Sequence, residues 1–143
     1  MKLNPYAHAY RQNSVETASP GQLILMLFDG AERFMNRALQ GFSETDMILR
    51  NEAVHINLLK TQAIVEELRA SLNHRTEGAF ARTMSDLYDF MHGQLREANV
   101  RKDPASVQVV AELLGEIRGA WAAMLAQAEN HASTPMAWAA TAA

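Results

Sequence analysis

The chain contains no cysteine. That removes disulfides, thiolate metal sites and a thiol nucleophile, and it suits a reducing compartment. Proline and glycine are scarce, 4 and 7 in 143 residues, and they sit at boundaries rather than recurring as turn signals. No run of like charge stands out: 13 Lys+Arg stand against 16 Asp+Glu, for a formal net charge of -3. Without a basic stripe to track phosphates, nucleic acid is excluded as the expected partner. Residues 1–5 carry no apolar stretch of signal-peptide length, and no segment approaches the roughly 20 apolar residues of a spanning helix. The expectation is a cytoplasmic protein with no stable membrane insertion.

What is present is 48% hydrophobic residues, spaced at three and four rather than two. That spacing predicts helices throughout. A first helix is expected from Ser19-Pro20 to about Gln40, stopping at Gly41. Ser19 is the N-cap, Pro20 the first helical residue, and Gln22 completes a capping box. Leu23, Leu27, Ala31, Phe34 and Ala38 form its main stripe. A second helix is expected from Ser43 to about Leu72, with Asp46 at the box position and Phe42 and Met47 as a hydrophobic staple. A third runs from about Ala79 to Asn99, with Phe80, Met84, Leu87, Met91, Leu95 and Ala98 on one face. A fourth opens at Asp103-Pro104 and carries Val107, Val110, Leu114, Ile117, Trp121 and Met124, the seam of a bundle. The expected fold is all-α, an antiparallel up-down four-helix bundle over residues 19–130. A short N-terminal arm or helix (1–18) precedes it and a flexible Ala-rich tail (131–143) follows.

Three constellations could carry chemistry. Four-helix bundles hold di-metal sites with Glu-x-x-His pairs on two helices and a Glu on each of the others. Glu52 with His55, Asp89 with His92, and Glu32 and Glu112 supply such a parts list. At about 100° per residue, Glu52 and His55 point roughly 100–160° away from the Val54, Leu58, Val65, Leu68 face. Asp89, His92, Glu32 and Glu112 face outward too, so the metal reading fails on geometry and no cofactor is expected. Catalysis fares no better. Ser14, Ser19, Ser43 and Ser106 stand where caps and turns want serine. His8, His74 and His131 lie in loops or ends, and Gly21, Gly30 and Gly41 are too far apart for a phosphate loop.

The third constellation is a partner surface. The second helix is apolar on two nearly opposite faces: Val54, Leu58, Val65, Leu68 and Leu72 on one, and Leu49, Ile56, Leu59, Ala63 and Ala70 about 180° round. A bundle helix meets its two neighbours at nearer 90°, so the core does not fully use the second stripe. On the first helix Leu25, Phe28, Met35 and Leu39 lie off the main stripe in the same way. Apolar surface beyond core needs marks an interaction site, and a partner helix in a groove is one solution. Wide-faced packing in a small bundle, or a homodimer through the same stripe, accounts for the pattern equally well.

Four short pieces, in order, resemble the flagellin export chaperone family, FliS. The first is Tyr10 with Ala18-Ser19-Pro20 and the run over residues 23–31. The second is residues 64–68 with Ser71-Leu72-Asn73. The third is residues 87–91 with Leu95, Ala98-Asn99 and Asp103, and the last is Leu114, Ile117-Arg118 and Ala120-Trp121. The resemblance implies a cytosolic, non-enzymatic bundle without cofactor. It implies binding of the C-terminal segment of flagellin, which is disordered when free, and its presentation to the flagellar export gate. It also implies an N-terminal arm that covers an apolar pocket, with Tyr10 and Tyr6 as contacts or gate. Three departures stand out. Thr61 replaces a common Ala, the 73–78 loop has Glu77-Gly78 in place of paired glycines, and the tail after Asn130 lies outside the match.

Overall fold

The computed structural model describes residues 18–133, with side chains as far as Asn130. Of the expected arm (1–18) and tail (131–143), only residue 18 and the backbone of residues 131–133, which continues the last helix, are described; Tyr6, Tyr10 and Trp138 lie outside the described residues. Four long helices and one single turn of helix make up the rest. They are α1 (Pro20–Gly41), α2 (Met47–Ala70), the turn His74–Glu77, α3 (Ala79–Arg101) and α4 (Pro104–Ser133).

α1 begins as its sequence requires. Ser19 is extended at φ -67, ψ 162, and its hydroxyl accepts from the Gln22 N–H at 3.2 Å. The reciprocal half of the expected capping box does not form. The Gln22 side chain instead donates to Glu129 Oε1 at 3.0 Å and ties the start of α1 to the last turns of α4. α2 starts three residues later than expected. Asp46, not Ser43, is its N-cap, and one carboxylate oxygen accepts from both Ile48 N–H at 2.9 Å and Leu49 N–H at 3.0 Å. A charged acceptor taking two orphan donors at the positive end of a helix outcompetes a hydroxyl. The shift leaves Met47 exposed, so the expected staple with Phe42 is absent. Asp46→Ala is therefore expected to cost about 1 kcal/mol in a denaturant titration. A loss near zero would return the helix start to Ser43.

Residues 73–78 are not a plain loop. The Asn73 side chain caps a turn of helix by accepting from Arg75 and Thr76 N–H groups. Gly78 at φ +50, ψ -112 then redirects the chain into α3, a backbone region closed to most side chains. α3 ends at Lys102 in the left-handed region (φ 53), where the N–H groups of Lys102 and Asp103 both return to Ala98 O. This reversal takes two residues, and Asp103 accepts from Ala105 N–H to open α4.

Each long helix packs mainly on two neighbours, in the cyclic order α1, α2, α3, α4 and back to α1, with α1 and α2 the most extensive pair. Short connections between sequential neighbours make the bundle antiparallel. The tight α1–α2 contact favours Gly41, where a Cβ would lie 3.2 Å from Ala53 Cβ and the neighbour would have to give slightly. The core draws Phe28, Met35, Val54, Leu58, Val65, Leu68, Met91, Leu95, Val107, Val110 and Leu114 from all four helices. Thr61 is buried among them without penalty, because its hydroxyl donates to Asn57 O at 2.9 Å, one turn back.

On α1 the core face differs from the expected one. Phe28, Ala31, Met35 and Ala38 are buried, while Leu27 and Leu39 are only partly so. The true face is centred about 60° round from the expected stripe. Phe28, at 1% exposure, is thus corrected from a surface residue to a core residue.

Candidate partner-binding surfaces

Two apolar surfaces remain after the core is closed. The first is the outer face of α2. Its buried side is Val54, Leu58, Thr61, Val65 and Leu68. On the opposite side Leu49, Ile56 and Leu59 are 54%, 41% and 48% exposed, and Ala63 is exposed as well. The stripe from position 49 to 63 runs about 21 Å along the helix. At its N-terminal end a concavity of about 490 Å³ opens between α1 and α2, with Leu49, Ala53 and Ile56 on one side and Arg37 and Gln40 on the other. Arg37 of α1 and Lys60 of α2 both stand over the Phe34 ring, at 5.5 and 5.3 Å from its centroid, so two cations share an aromatic base where the helices meet.

The α2–α3 side is polar by contrast. Arg69 meets Asp89 at 3.2 Å, His92 meets Glu66 at 3.3 Å, and His55 is 2.9 Å from Asn99. Three of the groups considered for a metal thus pair with side chains of the facing helix, and Glu52, Glu32 and Glu112 are exposed. Among the described residues no three His, Asp or Glu groups come together to hold a metal ion.

The second surface was not expected from the residues alone. α2 stops at Ala70, so the level of Met84 and Trp121 is closed on that side only by Ser71, Leu72 and Glu77. A cavity of about 390 Å³ results. Ile24 and Phe28 of α1, Phe80, Met84 and Tyr88 of α3, and Ile117, Trp121 and Met124 of α4 line it. Phe80 and Met124 are exposed and mark its mouth. The Trp121 indole N–H donates to Gly21 O at 3.0 Å, and Arg118 pairs with Asp29, so α1 and α4 are held together beside the opening. The only sequence signal was that Phe80 and Met124, both on core stripes, fall near helix ends where a stripe outruns its partners.

Burial pushes the Tyr88 phenol up to about 12. A phenol that ionises less readily in the folded state than in the unfolded chain stabilises the fold fully below about pH 10, and this contribution is lost as pH rises towards 12. Thermal melts across pH 9–12 are expected to fall more steeply for the native chain than for Tyr88→Phe. Parallel curves would place the hydroxyl in water.

Of the residues expected to meet a partner, Leu49, Ile56, Leu59 and Ala63 lie together on one exposed face. Leu25 is half-buried and lines neither concavity, and Phe28 floors the cavity from within the core. No helix among the described residues is long and apolar enough to cross a membrane.

The bundle keeps an apolar stripe on one flank and an open apolar cavity at one end, the form of a helical binding protein. The family model described as flagellar protein FliS matches residues 2–128. The flagellar secretion chaperone FliS of Bacillus subtilis is 40% identical over 118 residues, covering 82% of this chain and 84% of that protein. The Salmonella typhimurium protein of the same name is 37% identical over 120 residues, 83% and 86% respectively. That of Vibrio cholerae is 31% identical over 117 residues, 79% and 83%. The chain belongs to the FliS family of flagellar secretion chaperones, which is not a family of enzymes.

Proposed function

We propose that the chain binds the C-terminal segment of flagellin in the cytoplasm, keeps it from polymerising prematurely and assists its delivery to the flagellar type III export apparatus. Membership of the FliS family supports this, and the observation that carries it is the exposed Leu49, Ile56, Leu59, Ala63 stripe. A segment that is disordered when free gives up conformational entropy as it folds on a partner, so it needs a long apolar surface in return. A stripe of about 21 Å accepts four turns of a partner helix. The cavity beside Trp121 has the volume of a ligand pocket, 300–1,000 Å³, and takes a bulky apolar anchor.

The arm belongs to the same reading. Residues 1–17 precede α1 in the chain, and Ile24 in the second turn of α1 lines one wall of the cavity. Tyr6 and Tyr10 are rings with an apolar body and a polar tip, suited to covering that wall until flagellin displaces them or to touching flagellin directly.

Calorimetric titration with a flagellin C-terminal peptide tests the reading. Saturable binding with a negative heat-capacity change is expected, since apolar surface is buried and a helix forms. No heat and no helix gain would sink it. A self-associating bundle with a structural or regulatory role would then remain, and would show as a concentration-dependent mass.

A further inference from the structure

We infer that the outer face of the α3–α4 pair docks a second partner, a short amphipathic helix with an apolar ridge and Lys or Arg along its flanks. This face lies across the bundle from the α1–α2 pair, and the inference does not rest on the function proposed above.

Besides the two surfaces already described, a smaller apolar patch is left on α3 and α4. Phe90 and Val109 are 48% and 44% exposed. At about 100° per residue, Phe90 stands about 130° round α3 from the centre of its buried face. It does not face α2, because Ser85, Asp89 and His92 meet Arg69 and Glu66 of that helix on the opposite flank. Val109 stands about 130° round α4 from the buried Val107, Val110 and Leu114. Its flank is the one away from Arg118, which pairs with Asp29 of α1. Both side chains therefore border the α3–α4 seam. Leu87 and Leu113, one turn from Phe90 and Val109, lie nearer the floor of the seam and are partly buried against the core. Counted outward from the reversal at Lys102 and Asp103, Phe90 comes level with residues 113–116. The four side chains make one patch.

The rim of the patch identifies its occupant. Asp86 lies one turn from Phe90, and Glu97 two turns. Glu112 lies one turn from Val109, and Glu116 one turn from Leu113. All four carboxylates are exposed. Arg101 on this face is already paired with Glu97 at 2.7 Å, while Arg82 and Arg96 lie towards the α2 flank of α3. Asp86, Glu112 and Glu116 meet no cation among the described residues. The α2 stripe is flanked by both signs, Arg37 and Lys60 as well as Glu52 and Glu67, so a basic helix has reason to prefer α3–α4. A second copy set face to face would bring two acidic rims together, and like charges oppose that. Four apolar side chains, two of them partly buried, also fall short of the about 800 Å² per partner of a standard interface. A short helix laid between two helices needs less.

Amide NMR of the full chain tests this, titrated with an amphipathic Leu–Lys helix of about 18 residues, five turns, and separately with the same helix carrying Glu for Lys. The Lys helix is expected to shift amides over residues 87–97 and 109–116, with an affinity that falls as salt is added. Glu112→Gln with Glu116→Gln, and Phe90→Ser with Val109→Ser, should each weaken it about tenfold or more, while the melting curve stays close to wild type. Shifts confined to the α2 stripe or the cavity overturn the proposal. So does equal affinity for the Glu helix, or an affinity unmoved in the glutamine pair, whose exposed substitutions leave the fold intact. Shifts over the same residues that grow with chain concentration alone make the occupant a second copy and overturn it too. With a flagellin C-terminal peptide already bound, the Lys helix should still dock on α3–α4. Its displacement would assign the face to the secretion substrate and remove the second partner.

Discussion

Phe28→Ala is expected to cost about 3–5 kcal/mol of folding stability, the range for truncating a buried large aromatic. The ring is 1% exposed and sits in the main core cluster with Ala31, Met35 and Tyr88. Two features place the cost at the upper end. The ring also floors the cavity, so its removal merges a new void with about 390 Å³ already present. Relaxation is restricted as well, because α1 is held against α2 at Gly41 and against α4 through Asp29–Arg118 and the Trp121 N–H. The cost of a cavity is greatest where the site cannot collapse. Denaturant unfolding followed by helical circular dichroism measures it. Phe80→Ala is the matched control: the same truncation at an exposed ring should change stability by no more than about 0.5–1 kcal/mol. A Phe28→Ala loss below about 1 kcal/mol would mean that Phe28 belongs to the surface stripe after all.

That contrast shows what could be read in the sequence and what could not. The helices were legible because apolar spacing and caps agreed: Ser19-Pro20 and Asp103-Pro104 both open helices where expected. The two faces of α2 were legible because a helix between two neighbours cannot bury opposite sides, and Leu49, Ile56 and Leu59 are indeed exposed. The rotation of α1 was not. Residues 23–28, nearly two turns, are apolar all round, so several stripes compete. What decides among them is the close approach to α2 through small residues, a property of the pair and not of either helix. The start of α2 was misplaced because Ser43 and Asp46 both make acceptable caps locally, and only the carboxylate reaches two N–H groups at once. The cavity was hidden for a related reason. It exists because α2 ends at Ala70 while α4 runs on to Ser133, and relative helix lengths in space are not written in any one stripe.

The largest effect on binding is expected from Ile56→Asp together with Leu59→Asp. Both side chains stand on the outer face of α2, and neither contributes to the core. If a flagellin helix lies along that face, these two residues are near the middle of the stripe, where desolvation is most complete. Truncating such a central residue costs about 2 kcal/mol or more, roughly thirtyfold in affinity. A carboxylate costs more than a truncation, since it must be stripped of water against an apolar partner surface. The pair should therefore weaken binding of the flagellin C-terminal peptide by at least about a hundredfold. Folding stability should barely move. Exposed substitutions away from special backbone features usually fall within about 0.5 kcal/mol. The new carboxylate at position 56 stands four residues after Glu52 and four before Lys60, so its like-charge and opposite-charge helix pairs nearly cancel. Calorimetry on the peptide and a thermal melt on the same samples separate the outcomes. Normal peptide affinity with an intact melt would remove this face from the binding surface. Unchanged affinity with a wild-type dimer converted to monomer would make the stripe a seam between copies of the chain.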